Sequence, residues 1–278
     1  MKKLITLFVF ATVMSSCLQI TIGDNDENNN EKPNPRVLTV NTTWYWQLNG
    51  SLRTDIPADL YDVDLFDTPS ETIAKLKKQG KIVICYFSAG SYEEWRPDAY
   101  KFPPEAIGNS LDDWAGEYWI DIRNPEIWNI MRDRLDLAVA KGCDGVEPDN
   151  VDGYTNDTGF NLSYNDQLRY NRFLANEAKS RGLLIGLKND LEQIPDLINY
   201  FDFALNEECH KYNECDLLEP FIRQGKPVFN AEYDDIYIYD ERAFRNLCND
   251  AKKRNFRTNV YPVELDGSFV KSCDYGEY

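Results

Sequence analysis

Eight short apolar runs, helical patterns between several of them, and a glycine ending four of those helices predict an α/β fold, a (β/α)8 barrel. The runs cover residues 44–48, 63–66, 82–87, 145–148, 184–187, 203–206, 228–231 and 259–263. Each is four to six residues long and bounded by polar turns, the mark of buried parallel strands. Helical patterns occupy 69–79, 125–141, 165–181, 192–199, 215–224 and 240–254, and Gly80, Gly142, Gly182 and Gly225 stop the first three and the fifth. From Arg36 to Tyr278 there are roughly 240 residues, the length of one barrel.

The chain begins Met1-Lys2-Lys3, followed by an apolar run to Met14 and the small residues Ser15 and Ser16. A basic start and an apolar stretch shorter than the ~18 residues of a bilayer span describe a secretory signal over 1–16. Cys17 follows where the small residues end, as at a bacterial lipoprotein cleavage site. Ordinary signal cleavage with an incidental cysteine is the alternative. Residues 17–35 are acidic, Asn-rich and Pro-containing, with nothing to bury, and read as a flexible tether. The single (β/α)8 domain is then 36–278.

Within that domain one apolar run breaks the alternation. Residues 117–122 read as a strand, yet no long helix separates them from strand three, so an extra strand at the barrel mouth is expected.

Charge narrows the function. The chain carries 30 Lys+Arg against 47 Asp+Glu, a net −17, which repels nucleic acid and anionic lipid and suits a neutral or cationic ligand. The single histidine, His210, excludes His-rich zinc sites, and no cofactor motif is present. Any contact with a membrane would run through a lipid on Cys17, and the domain reads as a monomer.

Barrel active sites form at the C-terminal ends of the strands. The residues there are mostly carboxylates among aromatic rings: Tyr86 and Ser88 on strand three, Asp121 after the extra strand, Glu147, Asp149 and Asn150 on strand four. Strand five adds Lys188, strand six Glu207 and Glu208, and strand seven Glu232 and Tyr233. Paired carboxylates with aromatic walls are what glycosidic cleavage requires, one acid for the leaving oxygen and one carboxylate for the sugar or a water. Asp67, Asp152 and Asp190 read by default as helix caps or turns. Trp44, Trp46 and Trp119 read as either core or sugar platforms.

Five segments resemble one known family: YFSAGS (86–91), GCDGVEPDNVDGY (142–154), GLKND (186–190), FDFALNEEC (201–209) and VFNAEY (228–233). The chain is similar over about 43–264 to glycoside hydrolase family 114, the endo-α-1,4-polygalactosaminidases, which are related to spherulin-like proteins. The resemblance implies a (β/α)8 barrel that cleaves α-1,4-linked galactosamine in a cationic exopolysaccharide. It places the catalytic pair on Asp149 and Glu207, and Trp44, Tyr86, Ser88, Asp121, Glu147, Asn150, Lys188, Glu232 and Tyr233 are the expected substrate contacts. Glu207 is expected to act as the acid with a raised pKa, and Asp149 as nucleophile or electrostatic partner. A non-catalytic carbohydrate-binding lipoprotein, or a glycosidase of other specificity on the same barrel, are the competing readings.

Beyond Cys17 six cysteines remain, permitting three disulfides in any of 15 connectivities. Cys209 and Cys215 close a short loop directly after Glu207 and form the firmest expected pair. Cys85 and Cys143 lie at neighbouring strands, which leaves Cys248 with Cys273. Buried thiols, or a metal on Cys209, His210 and Cys215, are the alternatives.

Overall fold

The computed structural model describes residues 37–112 and 114–278. The expected signal, Cys17 and the tether lie outside these residues. Strands β1 (Trp44–Gln47), β2 (Leu60–Asp64) and β3 (Ile82–Ser88) run parallel side by side. Between β3 and the next barrel strand the chain inserts β4 (Ser91–Glu93), β5 (Ile107–Ser110) and β6 (Glu117–Ile120), a separate antiparallel sheet in the order β4-β6-β5. This is the extra strand of the sequence, together with two partners. The barrel resumes with β7 (Gly145–Asp149), β8 (Leu184–Lys188), β9 (Phe203–Glu207), β10 (Val228–Glu232) and β11 (Arg257–Val260), all parallel to their neighbours. Two short strands, β12 (Lys271–Ser272) and β13 (Gly276–Glu277), extend the sheet antiparallel beyond β11.

Side chains join β1 to β11. Trp44 Nε1 donates to the Arg257 carbonyl at 2.8 Å, Asn259 Nδ2 donates to the Trp44 carbonyl at 2.8 Å, and the Trp46 N–H donates to Tyr261 Oη at 3.1 Å. The first and last parallel strands thus meet, and the sheet curls into a barrel.

Two strands sit earlier than their apolar runs. β2 ends at Asp64 because Asp64 Oδ1 accepts the N–H groups of Phe66 and Asp67, both at 2.8 Å, and turns the chain. β11 ends before Pro262, which has no N–H for a ladder. No helix joins β1 to β2; a loop does.

Among the described residues there are eight α-helices, six at their sequence signals and two, at 209–212 and 236–239, without one. They are α1 (Ser70–Lys78), α2 (Pro125–Lys141), α3 (Tyr164–Ser180), α4 (Ile194–Leu197), α5 (Cys209–Tyr212), α6 (Glu219–Arg223), α7 (Ile236–Tyr239) and α8 (Glu241–Arg254). Asn124 caps α2, Ser163 and Asp166 form a capping box on α3, and Asp240 caps α8. The patterns at 192–199 and 215–224 each split into a 3-10 turn followed by a short α-helix. Pro195 and Pro220 stand in the first turns of those helices, where the missing N–H is tolerated. Disulfides join Cys85–Cys143, Cys209–Cys215 and Cys248–Cys273, the three expected pairs.

Candidate active site

A cleft of about 770 Å³ opens at the C-terminal ends of the barrel strands. Its floor holds Trp46, Tyr86, Asp149, Lys188, Glu207 and Tyr233, while Trp95, Trp114, Trp119 and the acids Asp64, Glu93, Asp112 and Glu117 line it toward the inserted sheet.

At the centre is the Lys188 ammonium, delivered by the last residue of β8 and almost fully buried. It lies 3.1 Å from Asp149 Oδ1, 3.4 Å from Glu207 Oε2 and 3.4 Å from Glu147 Oε1, and 4.7 Å from the Trp46 ring centre. Burial pulls the lysine pKa down, but the three carboxylates outweigh it and keep the amine charged.

Glu207 ends β9 and carries three donors. Tyr233 donates its hydroxyl at 2.5 Å to Oε1, and Asn189 Nδ2 donates to Oε2 at 3.2 Å beside Lys188. Burial alone would raise the Glu207 carboxyl, yet Lys188, Tyr233 and Asn189 hold it below its ordinary value. The sequence reading expected the opposite direction. It counted burial and a neighbouring carboxylate, and it could not see the donors that converge from β8 and β10.

Asp149 ends β7, where its Oδ1 accepts the Asn150 N–H at 2.7 Å. The Asn150 side chain points the other way, donating to Ser88 Oγ at 2.9 Å and to Glu117 Oε1 at 3.1 Å, while Ser91 bonds both Ser88 and Glu117. The inserted sheet therefore braces the strand end that carries Asp149. Asn150, Asn189 and Glu208, each directly after a site residue, adopt left-handed backbone with φ of 59°, 47° and 59°. Backbone of this kind concentrates where a chain must turn away sharply and leave a side chain aimed at a site.

The structure separates the expected contacts into two sets. Tyr86, Asn150, Lys188 and Tyr233 line the cleft with Asp149 and Glu207. Trp44 does not: it is fully buried, stacked on Phe229 at 5.3 Å, and belongs to the core. Ser88 is buried behind Asn150. Asp121 pairs with Arg123 at 2.8 Å, away from the cleft, because β6 belongs to the inserted sheet and not to the barrel. Glu232 is fully buried and accepts the His210 N–H at 3.0 Å; burial pushes it up to about 7. Glu147 is fully buried under Lys188. Glu208 turns aside to Lys211 at 2.6 Å, as its strand parity suggests.

Several site residues escaped the sequence reading. Asn189 sits inside the GLKND segment and was within reach of it. Glu117 and Arg96 carry no local signal, since their roles depend on how the inserted sheet folds over. Arg96 is buried and bridges Asp64 at 2.7 Å and Glu93 at 2.8 Å at the edge of the cleft. Cys209, His210 and Cys215 do cluster, but both thiols are spent in a disulfide, so the metal alternative is set aside.

A (β/α)8-type barrel with a carboxylate pair at its mouth, walled by tryptophans, defines a glycoside hydrolase. The chain belongs to glycoside-hydrolase family GH114, whose model matches residues 25–277. The crystal structure of Aspergillus fumigatus Ega3 in complex with galactosamine is 43% identical, covering 85% of this chain and 96% of that one, with a TM-score of 0.80. The glycoside hydrolase domain of PelA from Pseudomonas aeruginosa shares the fold at 15% identity and a TM-score of 0.64, over 81% of this chain and 96% of that one. An uncharacterized protein of Deinococcus radiodurans is 27% identical over 227 residues, 71% of this chain and 74% of the relative. One from Methanocaldococcus jannaschii is 38% identical over 88 residues, 30% of this chain, which thus spans 25% of that relative.

Proposed function

We propose that the chain is an endo-acting glycosidase that cleaves α-1,4-linked galactosamine in a cationic exopolysaccharide, with Asp149 and Glu207 as its carboxylate pair. One observation carries this reading: both carboxylates meet a single ammonium at the cleft floor. Asp149 Oδ1 and Glu207 Oε2 lie 3.1 and 3.4 Å from Lys188 Nζ, which bounds their separation at about 6.5 Å. That bound, which holds for the two oxygens nearest Lys188, is compatible with the ~5–5.5 Å carboxyl spacing of retaining enzymes, the course taken in this reading.

In this reading Asp149 attacks the anomeric carbon and Glu207 protonates the leaving oxygen. Water then hydrolyses the glycosyl-enzyme with Glu207 as base. A sugar in the cleft expels water from around Glu207, which strengthens the one influence that favours its protonated form. The carboxylates lining the cleft attract a polymer of ammonium groups over a distance and fade with salt. Galactosamine bound to Ega3 supports this choice of sugar.

Export supports the same picture. Three disulfides suit an oxidising compartment, and among the described residues no helix is long and apolar enough to cross a membrane. We extend the proposal to a signal over 1–16, a lipid on Cys17, and a tether to residue 35 that holds a monomeric domain near the cell surface. Incorporation of labelled fatty acid, lost in Cys17→Ala, tests the anchor.

The deciding experiment is product analysis on α-1,4-galactosamine oligomers, acetylated and not. New reducing ends inside the chain are expected. Binding with no new ends would leave a non-catalytic carbohydrate-binding protein, and cleavage of another glycan alone would leave the barrel but replace the substrate.

A further inference from the structure

Beneath Lys188 lies a second carboxyl pair that the cleavage chemistry does not use. Asp62, in the middle of β2, and Glu147, in β7, are fully buried on the two strands that flank β3, where each carboxyl bears on the other's charge. None of their four oxygens has a protein donor, and Glu147 Oε1 reaches only the Lys188 ammonium, at 3.4 Å. Two carboxylates close together in a dry interior repel strongly, and a proton held between them relieves the repulsion.

We propose that Asp62 and Glu147 share one proton and act as a single monoanion that holds the Lys188 ammonium in place beneath Asp149 and Glu207, so that both are positioning residues for the cleavage reaction. The charge count favours one proton over two or none. Lys188 faces Asp149 and Glu207 above and the pair below. With two protons on the pair, Lys188 would lose its lower partner and be drawn wholly to the catalytic carboxylates. With none, two negative charges would stand side by side without a donor. The remaining titratable groups around the pair are Tyr86 on β3, aligned with Glu147 in the sheet, and Tyr233 after β10. Burial keeps both phenols neutral, and Tyr233 donates its hydrogen bond to Glu207. A shared proton also accounts for the directions at the pair: burial, then each carboxyl's neighbour, raises Glu147, and burial raises Asp62 to about 7.

The proposal rests on the assignment of Asp149 and Glu207, so its first test needs no substrate. Infrared difference spectra of wild type minus Asp62→Asn at pH 7 should show the loss of one protonated carboxylic acid, because Glu147 alone beside Lys188 ionises. The second test is the pH profile on α-1,4-galactosamine oligomers. Asp62→Asn leaves one negative charge under Lys188, so the alkaline limb should keep its position. Asp62→Asn combined with Glu147→Gln removes that charge, and the limb should move to lower pH by about one unit, as when one nearby charge is deleted. A purely structural role would weaken all the variants without this difference between single and double. The proposal is overturned if Asp62→Asn loses no acid band, or if the folded double variant keeps its alkaline limb in place. Should the double variant not fold, the infrared comparison of the single variant still decides. An inactive wild type with the acid band lost on substitution would sink the cleavage reading and leave the shared proton standing.

Discussion

Tyr233 donates its hydroxyl to Glu207 at 2.5 Å, across the boundary between β10 and β9. A hydrogen bond to the charged form of an acid lowers its pKa, so this phenol helps keep Glu207 ionised in the empty site. Removing it in Tyr233→Phe should raise the Glu207 pKa. If Glu207 is the acid, its protonated form then survives to higher pH, and the alkaline limb of kcat/KM moves up by up to about one unit. If Glu207 were the nucleophile, the acid limb would move up instead. The low setting of Glu207 also places the optimum of the wild type on the acid side of neutrality. A profile that rises through neutral pH would refute the acid assignment.

The proposed pair, Asp149 and Glu207, has a direct test. Asp149→Asn and Glu207→Gln should each reduce turnover by ~10²–10⁴-fold, with thermal unfolding close to wild type. An activated leaving group should restore glycosyl-enzyme formation to Glu207→Gln and not to Asp149→Asn, since only the former needs no acid. With Asp149 as nucleophile, the first product seen by NMR should keep the α configuration. Initial release of the β anomer would mean inversion and a water in place of the nucleophile.

How far the sequence carried this reading depends on what kind of relation was being read. The strands, most helices and the strand-end positions of Asp149 and Glu207 are local facts: apolar runs, glycine stops and polar residues after the runs announce them. Lys188 was legible as a cleft residue because, like Asp149, it ends its strand, and the structure puts the two 3.1 Å apart. Depth was not legible. Trp44 and Trp46 share one face of β1, yet Trp44 sits a pleat deeper and is core, while Trp46 reaches the cleft and the lysine. Alternation gives the face of a strand and says nothing of the level. Asp121 and Glu117 failed for a different reason, because their strand belongs to an inserted sheet whose docking no local pattern encodes. The Glu207 pKa was misread on the same account, since its donors come from two other strands.

Lys188 is the residue whose loss should be felt most widely. Lys188→Met leaves Glu147, Asp149 and Glu207 facing one another with no cation between them. Breaking a buried ion pair by removing one partner costs about 3–5 kcal/mol, less here to the extent that the carboxyls take up protons. Urea unfolding should show a loss of this order at pH 7 that shrinks as the pH falls and the orphaned carboxyls protonate. The alkaline limb of any residual activity should shift upward, because the largest influence holding Glu207 ionised has gone. Equal stability losses at pH 5 and pH 7 would show that packing, not charge, is what Lys188 supplies.

The three disulfides should separate stability from catalysis. In the loop-closure model the stabilisation grows with the span closed, which is 58 residues for Cys85–Cys143, 25 for Cys248–Cys273 and 6 for Cys209–Cys215. Replacing each pair with serines should therefore lower stability by about 4, 3.5 and 2 kcal/mol in that order. Turnover should follow the reverse order. The smallest loop begins two residues after Glu207, where Glu208 is held at a φ of 59° and Cys209 donates its N–H to Asn206 Oδ1 at 3.1 Å. The same loop presents the His210 N–H to buried Glu232, which lies on the strand leading to Tyr233. Freeing it loosens both the carboxylate and the phenol that orients it, and misplacement by an ångström is enough to cost ~10²-fold. The double serine variant at Cys209 and Cys215 should then cut kcat by at least tenfold while its unfolding midpoint falls least of the three. A Cys209–Cys215 variant with wild-type kcat would show that β9 and β10 alone fix Glu207, and that the bridge serves only the fold.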